Sequence, residues 1–151
     1  GHWTMLARNR SVRLLLAGVD AALLAPPINV LRLSLHPAGL ALRIVNLVQW
    51  REHVFARLRQ QIAASADPVL VELLHELEAL PAPEADAPNA PPPPAFAVPL
   101  QLRTDAGVLS FIGTTTVFGT PVDITLAELA LETFFPADAA TAAALRRLAD
   151  A

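Results

Sequence analysis

The chain has 151 residues, 54% of them apolar, with a mean hydropathy of +0.45 and a formal net charge of −3. That length fits one domain with a sizeable core, and the acidic balance argues against a surface that grips a phosphate backbone by charge. All eleven basic residues are Arg and there is no Cys, which excludes disulfides, Cys-based zinc sites and thiol catalysis together.

No run reaches the ~18 uninterrupted apolar residues that a membrane span requires. The surplus apolar content is therefore expected in a core, a ligand cavity or an oligomer interface, with no membrane partner. No signal-peptide pattern opens the chain, and the lack of Cys is consistent with a cytoplasmic location. The start at Gly1 rather than Met reads as a fragment of a longer protein.

In chain order, Trp3 to Ala7 is short and apolar enough for a strand. Asn9 can cap a helix over Arg10 to Ala17, with Gly18 as its stop. Asp20 can cap a further turn, Ala21 to Leu24, which Pro26 and Pro27 end. Asn29 can cap Val30 to Leu35, and Pro37 and Gly39 break that segment. From Leu40 the helical period resumes. Ile44, Leu47, Val48, Val54, Phe55, Leu58 and Ile62 recur at three- and four-residue spacing, with Trp50 bordering this face. This predicts the longest helix of the chain, closing over whatever follows. Asp67-Pro68 is a strong helix start, and Leu70, Leu73, Leu74 and Leu77 form its stripe.

Residues 81–95 hold seven of the fourteen Pro and are expected to form an exposed polyproline-like or disordered loop. Beyond them the period becomes two. Val98, Leu100 and Leu102 predict a strand, Asp105-Ala106-Gly107 a turn, and Val108 to Phe118 a long strand. Gly119 to Pro121 is a second turn. The alternation through Val122, Ile124 and Leu126 then shifts phase, which predicts a bulge near Ala127–Glu128 and a last strand over Glu128 to Phe135. Asp138 can cap a final helix through Leu148. The order of one strand, several helices, a loop, a three-stranded meander and a closing helix is an α+β pattern, with helices segregated to one side of an antiparallel sheet. It describes a single domain over 1–151, and PAS-like domains share it.

Catalytic signatures are missing. There is no G-x-S-x-G, P-loop or G-x-G-x-x-G, and His2, His36, His53 and His75 make no H-x-H, H-x-x-H or H-E-x-x-H pair. The reading is therefore not an enzyme, with no catalytic residue and no metal site. His53 and His75 read as exposed helix positions. The most telling charge is Arg32, between Leu31 and Leu33. One reading makes it a bidentate anchor for a ligand carboxylate; the other makes it a surface Arg, or one paired with an internal Asp or Glu. Leu31, Leu35, His36, Leu47, Trp50, Phe55, Phe111 and Phe118 can line an apolar cavity, to which Thr114 and Thr116 add hydroxyls. The same residues can equally be filled core. Arg43, Arg51, Arg57 and Arg59 read as a solvated helix face.

HWTMLARNRSVRLLL resembles the opening of a PAS-like core. INVLRLSLHPAGLALRIVNLVQWREHVFARLRQQ and GVLSFIGTTTVFGTPVDITLAELALETFFPADAATAAALRRL resemble the middle and the end of the MmyB-like transcription regulator ligand-binding domain. The resemblance runs from about Trp3 to Leu148. It implies a small-molecule-sensing domain that follows a Cro/cI-type (XRE) helix-turn-helix. That helix-turn-helix is absent from this chain, so DNA is a partner only through the missing domain. It also implies an apolar or fatty-acid-like ligand between helices and sheet, with no other cofactor, and a homodimer. A ligand-free dimerisation module of the same regulator is the alternative. The family's first strand, which would precede Trp3, is not in this sequence. The gap it leaves is expected to be filled by a neighbouring chain or by rearrangement of residues 1–7.

Overall fold

The structure is a computed structural model that describes residues 2–81, 97–117 and 129–150. Among them are five helices and one three-stranded antiparallel sheet. The helices are α1 (Arg10–Leu15), α2 (Val30–Leu35), α3 (Leu47–Ser65), α4 (Pro68–Glu78) and α5 (Ala139–Asp150). The strands are β1 (Leu100–Thr104), β2 (Gly107–Val117) and β3 (Ala130–Pro136), in spatial order β1-β2-β3. This is the expected α+β class. No described helix is long and apolar enough to cross a membrane.

Capping explains where the helices start. Asn9, Asn29 and Asp67 each accept from free backbone N–H groups of the first turn, at Val12, at Leu31 and Arg32, and at Val69. Asp20 does the same for the 3₁₀ turn Ala21–Leu24. The break after α2 is steric. A Cβ at Gly39 would collide with the Leu33 carbonyl oxygen, which accepts from Leu40 N at 2.9 Å. Helix α3 ends at Ala66, which takes a left-handed conformation and donates to the Ile62 carbonyl at 2.8 Å.

Two predicted elements are corrected. Trp3 to Ala7 is not a strand of the sheet. It makes one bridge, Thr4 with Asn29, supported by Met5 N to Ile28 O and Val30 N to Trp3 O. Trp3 itself has φ 61°, which bends the chain out of an extended path. The helical period from Leu40 is also not one helix. Ala41–Arg43 is a 3₁₀ turn, and Ile44 to Asn46 runs alongside β1 before α3 begins. Val45 N donates to Gln101 O, while the Asn46 amide donates to Pro99 O and accepts from Gln101 N. The competing partner was a strand edge more than fifty residues away, which local periodicity does not encode.

The core lies where the helices meet one face of the sheet. Leu31, Leu33, Leu35, Trp50, Val54, Leu58 and the four leucines of α4 pack with Leu100, Leu102, Leu109 and Phe111. Pairing Leu100 with Phe111 and Leu102 with Leu109 puts these last four on one face, and the two-residue repeat carries that face on through Gly113, Thr115 and Val117. We call this the inner face. Helix α5 packs against β2 and α1. Fully buried Thr141 accepts the Ser110 N–H at 3.0 Å, where β3 has already ended. The expectations for 81–95 concern residues of which only Pro81 is described. The turn at 119–121 and the bulge near Ala127–Glu128 lie outside the described residues, as does Phe118.

Candidate functional site

The described residues predicted for a ligand site divide between one core cluster, the surface and the outer face of the sheet. Leu31, Leu35, Trp50 and Phe111 are buried in the core, and Leu47 packs against it half-buried. Trp50 donates its indole N–H to the Ser34 hydroxyl at 2.8 Å. His36 is half-buried at the break and accepts from Ala38 N through Nδ1. Phe55 is half-buried against the core, between the guanidinium groups of Arg51 and Arg59. Thr114 and Thr116 alternate with Phe111, so they occupy the outer face of β2, and both are exposed.

Arg32 is a surface residue. It holds Glu76 through Nε and Nη2, both at 2.7 Å, and its side chain is 45% exposed. Both forks of this pair are matched, which raises the Arg32 pKa and lowers that of Glu76, chiefly through the hydrogen bonds between them. Arg32 also borders a groove of about 200 Å³ together with Glu72 and Glu76. Two carboxylates make that groove a poor host for an anion. A larger groove of about 580 Å³ is lined by residues 4–8 and by Pro26, Pro27 and Ile28.

The solvated Arg face of α3 is corrected as well. Arg51 is 7% exposed and donates to the carbonyls of Leu77, Leu80 and Pro81, at the C-terminal end of α4. Arg43, before α3, donates to the carbonyls of Leu15, Ala17 and Arg103. Arg57 reaches the sheet. Its Nη2 donates to the Thr115 hydroxyl at 2.8 Å and to Glu132 at 3.1 Å, and its guanidinium lies 4.8 Å from the centre of the Trp3 ring. Thr115 also donates to Glu132, at 2.5 Å. Trp3 in turn donates its indole N–H to Gln61 at 2.8 Å.

These contacts define a seam. Trp50, His53, Arg57 and Gln61 recur at three- and four-residue spacing, so they form one stripe along α3. The Arg57 contacts aim the middle of this stripe at the inner face of the sheet. Gly113, Thr115 and Val117 of β2 pair there with Phe134, Glu132 and Ala130 of β3. This half of the inner face is not sealed by core: Val117 is 66% and Phe134 39% exposed. Gly113 leaves room beside Phe134, whose ring a Cβ would approach at 3.4 Å. His53 is half-buried rather than exposed as predicted, and stacks on Trp50 at 5.4 Å. Burial lowers its pKa first, and Arg57 lowers it further while Glu132 opposes. No cluster of three or more His, Cys, Asp or Glu that could hold a metal is found among the described residues.

Sequence reasoning missed Arg57, Glu132 and Trp3. The i, i+3, i+7, i+11 run of Trp50, His53, Arg57 and Gln61 was readable, but a polar stripe beside an apolar one reads as a solvated flank unless its cross-chain partners are known.

The chain matches the family described as the MmyB-like transcription regulator ligand binding domain over residues 1–148. No curated protein and no solved structure matches it. That family is a regulator ligand-binding domain and not an enzyme family. With nearly the whole length matched and an α+β fold of helices on an antiparallel sheet, the chain belongs to the MmyB-like transcription regulator ligand-binding domain family.

Proposed function

We propose that this domain senses an apolar or fatty-acid-like small molecule, bound between α3 and the inner face of the sheet. The observation that carries the reading is the division of that face. Leu100, Leu102, Leu109 and Phe111 are covered by core, whereas Val117 and Phe134 continue the same face and stay exposed on either side of the Thr115–Glu132 pair that Arg57 of α3 reaches. An apolar surface bordered by a few fixed polar groups is the composition expected of a small-molecule site. Binding there alters how α3 sits on the sheet, and that shift passes to a helix-turn-helix domain of the parent regulator in the cytoplasm. Native mass spectrometry before and after denaturing extraction is the test. A bound lipid-sized mass lost on extraction is expected, and a chain that takes up no fatty acid after refolding refutes the reading.

A second reading, dimerisation, is favoured by β3. Among the described residues its second edge has no partner strand, and Leu131 and Phe135 beside it are 59% and 52% exposed. A homodimer that pairs these edges without any ligand predicts a thermal midpoint that depends on protein concentration and ignores added fatty acid.

A further inference from the structure

We infer that Arg57 is the head-group reader of the ligand site, and that Glu132 is an internal carboxylate which a ligand carboxylate displaces. This rests on the ligand reading above and adds the chemistry of the ligand's polar end.

The two Arg–Glu pairs of the helical half and the seam differ in how many donors they leave. Arg32 commits both N–H groups of one fork to both oxygens of Glu76. Arg57 uses Nη2 alone, shared between Thr115 and Glu132, and its Nε and Nη1 donors have no acceptor among the described residues. Three N–H groups are thus unspent on a guanidinium that is one-third exposed and reaches the Thr115–Glu132 pair, with exposed Phe134 on one side of it along the face and exposed Val117 on the other. A carboxylate arriving along that face meets donors already in position.

The position is held from behind. Trp3 lies under the guanidinium, and a bulky residue at positive φ is a strained conformation that its surroundings must enforce. The enforcement is visible in the Trp3 to Gln61 bond and in the backbone bond from Val30 to Trp3. Glu132 meanwhile answers a constraint of its own. Without a ligand, a partly buried Arg facing an apolar surface needs a counter-charge. Glu132 supplies it through one oxygen, also held by Thr115. A ligand carboxylate that takes over the charge frees Glu132, and with it the direct tie between α3 and β3. Ligand occupancy and helix–sheet attachment are then read by the same guanidinium.

The test uses the 151-residue chain and two probes of equal tail length, dodecanoate and dodecanol, titrated by calorimetry below their aggregation limits. The expected result is that dodecanoate binds about tenfold or more tightly than dodecanol, the scale of one charge-assisted hydrogen bond. Arg57→Gln should bring the two probes together, and Arg57→Lys should restore part of the preference. Glu132→Gln should tighten dodecanoate several-fold and leave dodecanol unchanged, because only the competing charge is gone. Dodecanoate preference that survives in Arg57→Gln overturns the inference, as does weaker dodecanoate binding in Glu132→Gln. If neither probe binds the unaltered chain, the ligand reading itself fails along with it.

Discussion

The inner face of the sheet has two halves made by the same strands. In one, Leu102, Leu109 and Phe111 are at most 2% exposed; in the other, Thr115 and Val117 of the same strand are open. The difference is not propensity, since the whole of β2 is rich in β-branched and aromatic residues. It is what stands opposite. The first half meets the leucines of α2 and α4 and the apolar ridge of α3. The second meets His53 and Arg57, which the helix presents one turn further on. A strand buries what its neighbour covers, and a neighbour that changes from Leu to Arg ends the core without ending the sheet.

Substitutions can break this contrast, beginning with the closed half. Leu109→Ala should cost about 2–5 kcal/mol, the range for deleting a fully buried leucine side chain, read as a shift of the urea midpoint at constant slope. A loss below ~1 kcal/mol there would mean that the closed half is looser than its burial implies. Thr141→Val keeps the volume but removes the acceptor for Ser110 N–H. It should cost about 1–3 kcal/mol, since that donor is left without a partner.

Acid titration sharpens the comparison at the open half. The folded chain holds His53 below its ordinary value near 6.5, so the unfolded chain takes up the proton first. Its contribution is whole above that value and shrinks as pH falls through it. Glu76 is likewise held below its ordinary 4.5 by Arg32. Its contribution is present above that value and fades as pH falls towards the lowered one. Stability measured by urea should therefore decline in two steps on acidification, and His53→Gln should remove only the upper one. Arg32→Gln should cost less than about 1 kcal/mol despite the matched geometry, because both partners are almost half exposed. Val117→Ala should be the smallest, within about 0.5 kcal/mol; a large loss would show that the open half carries folding energy after all.

The caps were legible in the sequence because each acts within three residues: Asn9, Asn29 and Asp67 bond to N–H groups two or three positions on. The hairpin at Asp105–Gly107 and the leucine stripe of α4 were legible for the same reason. The seam was not. Arg57 meets Thr115 across 58 residues, Glu132 across 75 and Trp3 across 54, and no local pattern distinguishes it from Arg59 on the outer surface. For Arg32 the sequence left a ligand anchor and a surface or paired Arg both open, and the helix decides: adjacent residues point 100° apart, so Leu31 and Leu33 turn inward while Arg32 turns out to Glu76.

The extension of Ile44 to Asn46 along β1 has one further consequence. It occupies one border of the sheet with backbone and amide bonds, while among the described residues the border at β3 is unoccupied. The bonds along that border tie the start of α3 to the strand that carries Leu100 and Leu102, so the longest helix sets out from the sheet itself and not from α2.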